Sequence, residues 1–183
     1  MDHYLEIRVL SDPEFPEGQL LSALFAKLHR RLGQAGEGRV GLSFPHHGVV
    51  LGGVVRLHGT EADLQALMAD NWLQGMKDYT HSTAILPVPA GVSYRTVRRV
   101  QAKSAHNKRK RSIAKGWLSE EEALTRIPDS QQKPLRMPYI ELRSLSNGNL
   151  MRVYVEHGPE QAHPQLGMFN AYGLSATATV PWF

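Results

Sequence analysis

Hydrophobic and polar residues in the first half of the chain follow two periodicities. Residues 4–9 alternate as in a β-strand, and residues 17–32 place leucine and phenylalanine on one arc of a helix. Four further elements are predicted: strands at 40–44, 49–58 and 83–88, and a helix at 61–76. The resulting β-α-β-β-α-β order is that of a ferredoxin-like domain.

The second half begins after Pro87, Pro89 and Gly91, which indicate a domain boundary. A strand is predicted at 93–103. A helix at 104–115 follows, with Gly116 placed as a left-handed cap. The remaining elements are a short helix that starts at the Ser119–Glu122 capping box, strands at 139–144 and 150–157 joined at Asn147-Gly148, and strand material at 170–174 before an apolar end.

We therefore predict an α+β fold with two domains. The first, residues 1–91, is ferredoxin-like. The second, residues 92–183, is an α+β domain that carries the helix at 104–115.

Charge is distributed unevenly along the chain. The formal net charge is +4, from 21 Lys and Arg against 17 Asp and Glu. The segment between Asp78 and Glu120 holds nine Lys and Arg and no carboxylate, so the rest of the chain is acidic by five charges. A solvated helix face usually carries carboxylates that pair with its bases, and this segment carries none. An anionic partner, a nucleic acid and in particular RNA, is predicted.

The predicted helix at 104–115 is the centre of this basic segment. Ser104, Lys108, Arg111 and Lys115 lie within about 60° of one another at 100° per residue, and Lys103 adds a base just before them. The stripe is roughly 16 Å long at 1.5 Å per residue. A stripe of this length suits contacts to phosphates on both sides of a groove.

Arg99 and Gln101 are separated by one residue, so on a strand their side chains leave the same face. Arginine pairs with guanine through two hydrogen bonds, and glutamine pairs in the same way with adenine. These two residues are candidates for reading base pairs, and the alternative is that they are solvated residues of an exposed strand. Because the major groove of A-form RNA is deep and narrow, such reading is expected at the end of a stem.

Composition excludes several kinds of chemistry. The absence of cysteine excludes disulfides, thiolate metal sites and cysteine nucleophiles. The nine histidines are scattered without a metal-binding pair, so no cofactor is expected and a metal site is a minor alternative. No apolar run approaches the roughly 20 residues of a membrane span, and the first residues carry acid where a signal peptide carries base. We expect a soluble cytoplasmic protein that is monomeric when free.

Candidate catalytic residues lie outside the basic segment. His29 is at the edge of the apolar arc of the first helix, where a histidine either packs or acts as a general base in RNA transesterification. Ser144 and Ser146 share one face of a predicted strand, where a serine either holds a ribose hydroxyl or satisfies the backbone. Tyr172 is ambiguous alone. Spacing does not join these residues.

A set of ordered segments is more specific. The segments are MDHYLEIRV at 1–9, EFPEGQLLSALFAKLH at 14–29, RVQAKS at 99–104, LSEEEALTRIPD at 118–129, RSLSNG at 143–148, HGP at 157–159, YGLS at 172–175 and VPWF at 180–183. With these segments, the chain resembles the CRISPR repeat-RNA processing endoribonucleases of type I-F (Csy-type) systems over almost its whole length.

The resemblance implies an enzyme that cuts the hairpin of precursor CRISPR RNA at the 3′ base of the repeat stem without a metal ion. The ribose 2′-hydroxyl upstream of the scissile bond attacks the phosphate and leaves a cyclic phosphate and a 5′-hydroxyl. By matching motifs, His29 would accept the proton, Ser144 would hold the 2′-hydroxyl, and Tyr172 would orient the His29 ring.

The resemblance also implies how RNA is held. Arg99 and Gln101 would read the bottom base pairs of the stem, and the helix at 104–115 would lie along its major groove. Ser146 would join the RNA-binding residues. The enzyme would stay on the cut RNA with the other subunits of a surveillance complex.

Two features depart from the family's pattern. Lys108 and Lys115 stand in a helix that is usually rich in arginine, and lysine lacks the two-pronged guanidinium. Met151 stands where the family can place an aromatic residue on the terminal base pair, and methionine offers no π-face.

The alternative function is a non-catalytic RNA-hairpin-binding module that caps the guide RNA.

Overall fold

A computed structural model describes residues 1–101, 104–129, 135–143 and 148–183. The chain divides into two compact units, one of Met1–Val100 with Met137–Phe183 and the other of Gln101–Arg136. Both antiparallel sheets and the first two α-helices belong to the first unit, and the next two α-helices belong to the second. The α+β class is confirmed, while the domains at 1–91 and 92–183 stay a prediction.

The first sheet has the ferredoxin-like arrangement. Its elements in chain order are β1 (His3–Val9), α1 (Glu17–Arg31), β2 (Gly41–Ser43), β3 (Val54–Gly59), α2 (Glu61–Met68), β4 (Thr80–Ser82) and β5 (Leu86–Pro87). The strand order is β2-β3-β1-β4, and β5 also pairs with β1. All of these pairs are antiparallel, as the predicted β-α-β-β-α-β order requires.

Helix α1 is held against this sheet by its apolar arc. Its buried residues are Leu20, Leu21, Leu24, Phe25 and Leu28. Burying each such side chain stabilises the fold by about 1.5–3 kcal/mol relative to leaving it in water. One wide turn, Leu32–Gly36, follows the helix, and Glu37 and Gly38 then adopt positive φ and reverse the chain toward β2.

Several predicted elements are longer than the elements that form. The strand predicted at 83–88 is replaced by the short strands β4 and β5, and the strand predicted at 93–103 ends at Val100. The helix predicted at 61–76 ends at Met68, and Trp72 and Met76 sit in turns although they continue its apolar spacing. A backbone bond from Trp72 N–H to the Asp70 carbonyl and a positive φ at Gly75 replace the helical pattern. The strand predicted at 49–58 begins only at Val54, after a positive φ at Gly52.

Within the described residues the second sheet has four strands, and the first of them along the chain follows Gly91. They are β6 (Ser93–Val100), β7 (Tyr139–Arg143), β8 (Leu150–His157) and β9 (Thr179–Trp182), in the order β7-β8-β6-β9. β8 pairs with the second half of β6, and β9 pairs with its first half. The prediction of a strand at 170–174 is wrong, because this segment is a turn and the last strand forms at β9. The predicted Asn147 hairpin position lies outside the described residues.

A half-buried histidine links the two sheets. The backbone N–H of Phe44, just after β2, donates to Nε2 of His157 at the end of β8, at 3.2 Å. The His157 ring also stacks on His47, with ring centroids 3.7 Å apart. Burial, His47 and Arg95 together lower the pKa of His157 to about 3. His157 is therefore neutral at physiological pH.

The second unit contains two helices with the predicted caps. Helix α3 (Ala105–Ala114) begins at Ser104, whose hydroxyl accepts from the Asn107 N–H at 3.1 Å. Helix α4 (Glu120–Arg126) begins at the predicted capping box of Ser119 and Glu122. No helix among the described residues is long and apolar enough to cross a membrane.

Candidate active site and nucleic-acid interface

His29 is fixed by the backbone of a distant segment. It lies in the last turn of α1, half-buried, with Nδ1 2.8 Å from the carbonyl oxygen of Ala171. A carbonyl oxygen only accepts, so Nδ1 donates and carries a hydrogen. The other nitrogen, Nε2, is left open to accept a hydrogen bond, and it has no hydrogen-bond partner among the described residues.

Tyr172 covers the imidazole of His29. The two rings are stacked, with centroids 4.2 Å apart and planes 8° apart. Phe25, one turn earlier on α1, lies parallel to the same phenol ring at 6.2 Å. The hydrogen bond to Ala171 therefore fixes one edge of the imidazole, and the phenol ring fixes one face.

A tight turn holds Ala171 and Tyr172 in place. The side-chain oxygen of Asn170 accepts from the N–H groups of Tyr172, at 2.8 Å, and Leu174, at 3.3 Å. Gly173 has a φ of 69°, and its carbonyl accepts from the Leu42 N–H at 2.8 Å. A Cβ at Gly173 would stand 2.4 Å from Cγ of Leu42, so only glycine fits against β2 here.

Arg99 extends this arrangement from β6. Its guanidinium carbon lies 5.1 Å from the centroid of the Tyr172 ring, a cation–π distance. Its Nε is buried and has no hydrogen-bond partner among the described residues. Such a group needs an acceptor, and a nucleic acid supplies acceptors on its bases and phosphates.

The basic face predicted on α3 is present in the second unit. Lys108 and Arg111 are exposed and form no ion pair within the described part of the chain. Arg109 is different, because its guanidinium donates to the Ile127 carbonyl at 2.7 Å and pairs with Asp129 at 2.8 Å. Arg109 therefore joins α3 to the end of α4.

The carboxylates that pair with the basic segment come from distant parts of the chain. In β6, Arg98 pairs with Glu156 at 2.8 Å. Glu156 and Asp129 lie outside the acid-free segment, so the sequence of that segment does not reveal that two of its arginines form ion pairs. The bases of the α3 stripe keep their charge available.

The remaining predicted residues are not joined to His29 by the structure. Gln101 is exposed and belongs to the second unit. Met151 pairs with Leu142 in the second sheet and packs partly buried against the core. Lys103, Ser144 and Ser146 lie outside the described residues, so their roles stay predictions.

The structure brings in two groups that sequence reasoning missed. The Ala171 carbonyl carries no side-chain signal at all. Phe25 is one residue of an ordinary apolar arc, and only its four-residue spacing from His29 could have marked it. In the described part of the chain, no three His, Asp or Glu side chains are grouped closely enough to hold a metal ion.

Comparison with known proteins decides the family. A sequence model of the family described as CRISPR-associated protein (Cas_Csy4) matches residues 4–183. The chain belongs to this family. Two curated relatives are both named CRISPR-associated endonuclease Cas6/Csy4. The one from Escherichia coli (strain UTI89 / UPEC) is 47% identical over 184 residues, covering 100% of both chains. The one from Pseudomonas aeruginosa (strain UCBPP-PA14) is 46% identical over 187 residues, again covering 100% of both.

The resemblance seen in the ordered segments is thereby confirmed. A solved structure titled "Structure A of CRISPR endoribonuclease Cse3 bound to 19 nt RNA" aligns over 99% of this chain and 100% of that one. The identity is 16% and the TM-score 0.39, too low to establish a shared fold.

Proposed function

We propose that this Cas_Csy4 family member is a metal-independent endoribonuclease specific for a hairpin. It cleaves precursor CRISPR RNA at the 3′ base of the repeat stem and stays bound to the mature guide RNA. It acts in the cytoplasm, as a monomer until other subunits of the surveillance complex join it. Its two curated relatives are named CRISPR-associated endonucleases.

The observation that carries this proposal is the arrangement of His29. Nδ1 is occupied by the Ala171 carbonyl, which leaves Nε2 to take a proton. The upstream 2′-hydroxyl gives its proton to Nε2 while its oxygen forms a bond to phosphorus. The bond from phosphorus to the 5′-oxygen breaks, and that oxygen takes a proton from water to become a 5′-hydroxyl. The proton on Nε2 passes to the solvent hydroxide that remains. Tyr172 keeps the imidazole oriented, and Ser144 holds the 2′-hydroxyl.

The exposed bases on α3 support the binding half of the proposal. The stem phosphates are bound by Ser104, Lys108, Arg111 and Lys115, with Lys103 before them. Binding is favourable because each cation that neutralises a phosphate releases counterions from the RNA. Arg99 and Gln101 read the bottom base pairs. Ser146 and Met151 contribute further contacts to the RNA near the cut.

A non-catalytic hairpin-binding module is the second candidate. One observation favours this candidate: the α3 stripe and His29 belong to different compact units. Binding by the stripe therefore does not itself require His29. The two candidates differ only in whether the bound RNA is cut.

One experiment separates them. The repeat RNA is incubated with the protein in excess chelator, and the product ends are identified. We expect cleavage at the base of the stem, with a cyclic phosphate and a 5′-hydroxyl. Replacing the upstream ribose by deoxyribose should abolish cleavage and preserve affinity. If the RNA is bound but not cleaved, with or without added Mg²⁺, the protein is the non-catalytic binding module. Cleavage that needs a metal ion, or that survives deoxyribose, would contradict the mechanism.

A further inference from the structure

Trp117 is exposed beside the basic face of the second unit. It follows α3 directly, and 65% of its surface is accessible. The motif that ends α3 fixes its position: the Trp117 N–H donates to the Ser112 carbonyl at 3.0 Å, and the Gly116 N–H donates to the Ile113 carbonyl at 2.9 Å. Gly116 takes the left-handed conformation that this motif requires, with a φ of 67°.

The indole does not pack as this motif usually arranges. The residue after the glycine normally contacts an apolar side chain of the last helical turn. Here the corresponding positions are Ser112 and Arg111, so this usual apolar contact is missing. Instead the ammonium group of Lys115 lies over the ring, 4.5 Å from its centroid. A large aromatic surface thus stays in water among cations.

Trp117 forms one wall of a cleft of about 600 Å³ within the second unit. The other residues around the cleft are Asn107, Lys108, Arg111, Ser112 and Ile127. Among the described residues no carboxylate lines it, and it contains two cations, an amide and a hydroxyl beside the indole. Lys115 does not line the cleft, so a flat group can meet the ring there without displacing the ammonium group.

We propose that this cleft binds an unpaired nucleobase of the RNA by stacking it on Trp117, with Lys108 and Arg111 on the adjoining phosphates. Stacking on an aromatic ring needs the open π-face of a base, and bases inside a duplex have both faces covered by their neighbours. The ligand is therefore a nucleotide outside the stem, in the hairpin loop or in a flank. This inference rests on the proposed function, because it takes RNA as the ligand.

The first test compares two variants at this position. Trp117→Leu keeps an apolar side chain and removes the π-face, while Trp117→Phe keeps a smaller aromatic ring. The probe is the repeat hairpin with its flanks, made uncleavable by deoxyribose at the upstream nucleotide. We expect the Kd to rise ~5- to 100-fold for Trp117→Leu and by less for Trp117→Phe. Leu124→Ala is the matched control, because Leu124 is 62% exposed in the same unit but does not line the cleft.

The second test locates the base. Abasic nucleotides replace each unpaired position of the probe in turn, and one position should weaken wild-type binding by the factor that Trp117→Leu costs. Trp117→Leu should bind this abasic RNA at least as tightly as it binds intact RNA, because the variant has no ring on which the base could stack. Tryptophan fluorescence should fall when wild type binds the probe, and the part of this change due to Trp117 should be missing in Trp117→Leu.

Several results would overturn the inference. If Trp117→Leu binds the probe as tightly as wild type does, there is no stacking site, and the proposed function still stands. An equal loss of affinity for a blunt, fully paired duplex would mean that Trp117 only supports α3. Fluorescence quenching by polyglutamate but not by single-stranded RNA would mean that the cleft takes an acidic peptide. If wild type does not bind the hairpin at all, the proposed function fails and the inference fails with it.

Discussion

The imidazole of His29 lies parallel to the phenol ring of Tyr172, with centroids 4.2 Å apart and planes 8° apart. The contact uses the face of the phenol ring, and the hydroxyl plays no part in it. Since the Ala171 carbonyl already binds Nδ1, the two contacts together restrict rotation of the imidazole about its bond to the helix. Under the proposed mechanism, Tyr172 would act on the reaction through His29.

The ring of Tyr172 should therefore matter more than its hydroxyl. Tyr172→Phe keeps the stacked ring, and we expect a cleavage rate close to that of wild type. Tyr172→Leu removes the flat surface, and we expect a loss of about 10- to 100-fold, because a small misplacement of a catalytic group is costly. Single-turnover rates with protein in excess test this, and equal losses in both variants would assign the role to the hydroxyl.

Removing the proton acceptor should separate cutting from binding. We expect His29→Ala to lower the single-turnover rate by about 100- to 10,000-fold, the usual contribution of a general base, while the Kd for uncleavable repeat RNA changes little. Arg30→Ala, at the exposed neighbouring position, is the control for disturbance of α1. A large loss of affinity in His29→Ala would instead mean that His29 is structural.

The exposed bases of α3 should govern the salt dependence of binding. Changing Lys108, Arg111 and Lys115 together to alanine should reduce the slope of log K against log salt by about 3, or about 1 for each phosphate that the variant no longer neutralises. Arg8→Ala with Lys77→Ala is the control, because it removes exposed charges outside the second unit. An unchanged slope in the triple variant would contradict the stripe.

Arg99 should confer preference for the bottom base pair. Wild type should bind the native repeat more tightly than an RNA with that pair inverted, by about 1–3 kcal/mol. Arg99→Ala should bind both RNAs with nearly equal affinity. Arg99→Lys should recover part of the affinity but not the preference, because lysine lacks the planar guanidinium. Competition binding with the two RNAs measures this, and a preference retained in Arg99→Ala would place the reading elsewhere.

The link between the two sheets should make the fold sensitive to acid. Because the pKa of folded His157 is about 3 and that of an unfolded histidine is about 6.5, the unfolded chain binds the extra proton between these values. Stability is therefore full above about pH 6.5 and falls by at most about 1.4 kcal/mol per pH unit as the pH drops toward 3. His58, fully buried beside Ser43, adds a loss of the same sign, since burial lowers its pKa to about 3.

A variant isolates the contribution of His157. Glutamine offers a side-chain oxygen to the Phe44 N–H and does not titrate. Between pH 7.5 and 5.0, the free energy of unfolding should fall less in His157→Gln than in wild type. The difference between the two falls should be up to about 2 kcal/mol. Urea unfolding at the two pH values measures this. His163→Gln, at an exposed position, is the control, and the same pH dependence in His157→Gln and wild type would contradict the prediction.

The sequence predicted the parts of the fold that depend on local pattern. The apolar arc of α1 and the capping box at Ser119 are local, and both formed as expected. The end of α2 was misplaced, because Trp72 and Met76 keep the helical spacing while Asp70 and Gly75 form turns. Apolar spacing alone does not distinguish a helix from a turn that packs the same side chains.

The candidate site was accessible only through resemblance. The hydrogen bond that fixes His29 spans 142 residues, and its acceptor is a backbone carbonyl, which no residue type identifies. The turn at Asn170 that presents this carbonyl was interpreted as strand, since its apolar and aromatic residues resemble those of a strand. Ordered segments shared with a family carry long-range information that periodicity does not contain.

The hydrogen bond between His29 and Ala171 also bears on how the protein is made. During synthesis α1 emerges well before the carbonyl and the ring that hold His29, because 142 residues separate His29 from Ala171. A growing chain, or a truncated product that stops before Ala171, can present the basic face of α3 while His29 is still unrestrained. Under the proposed function, such a fragment would bind repeat RNA through α3 and leave it uncut.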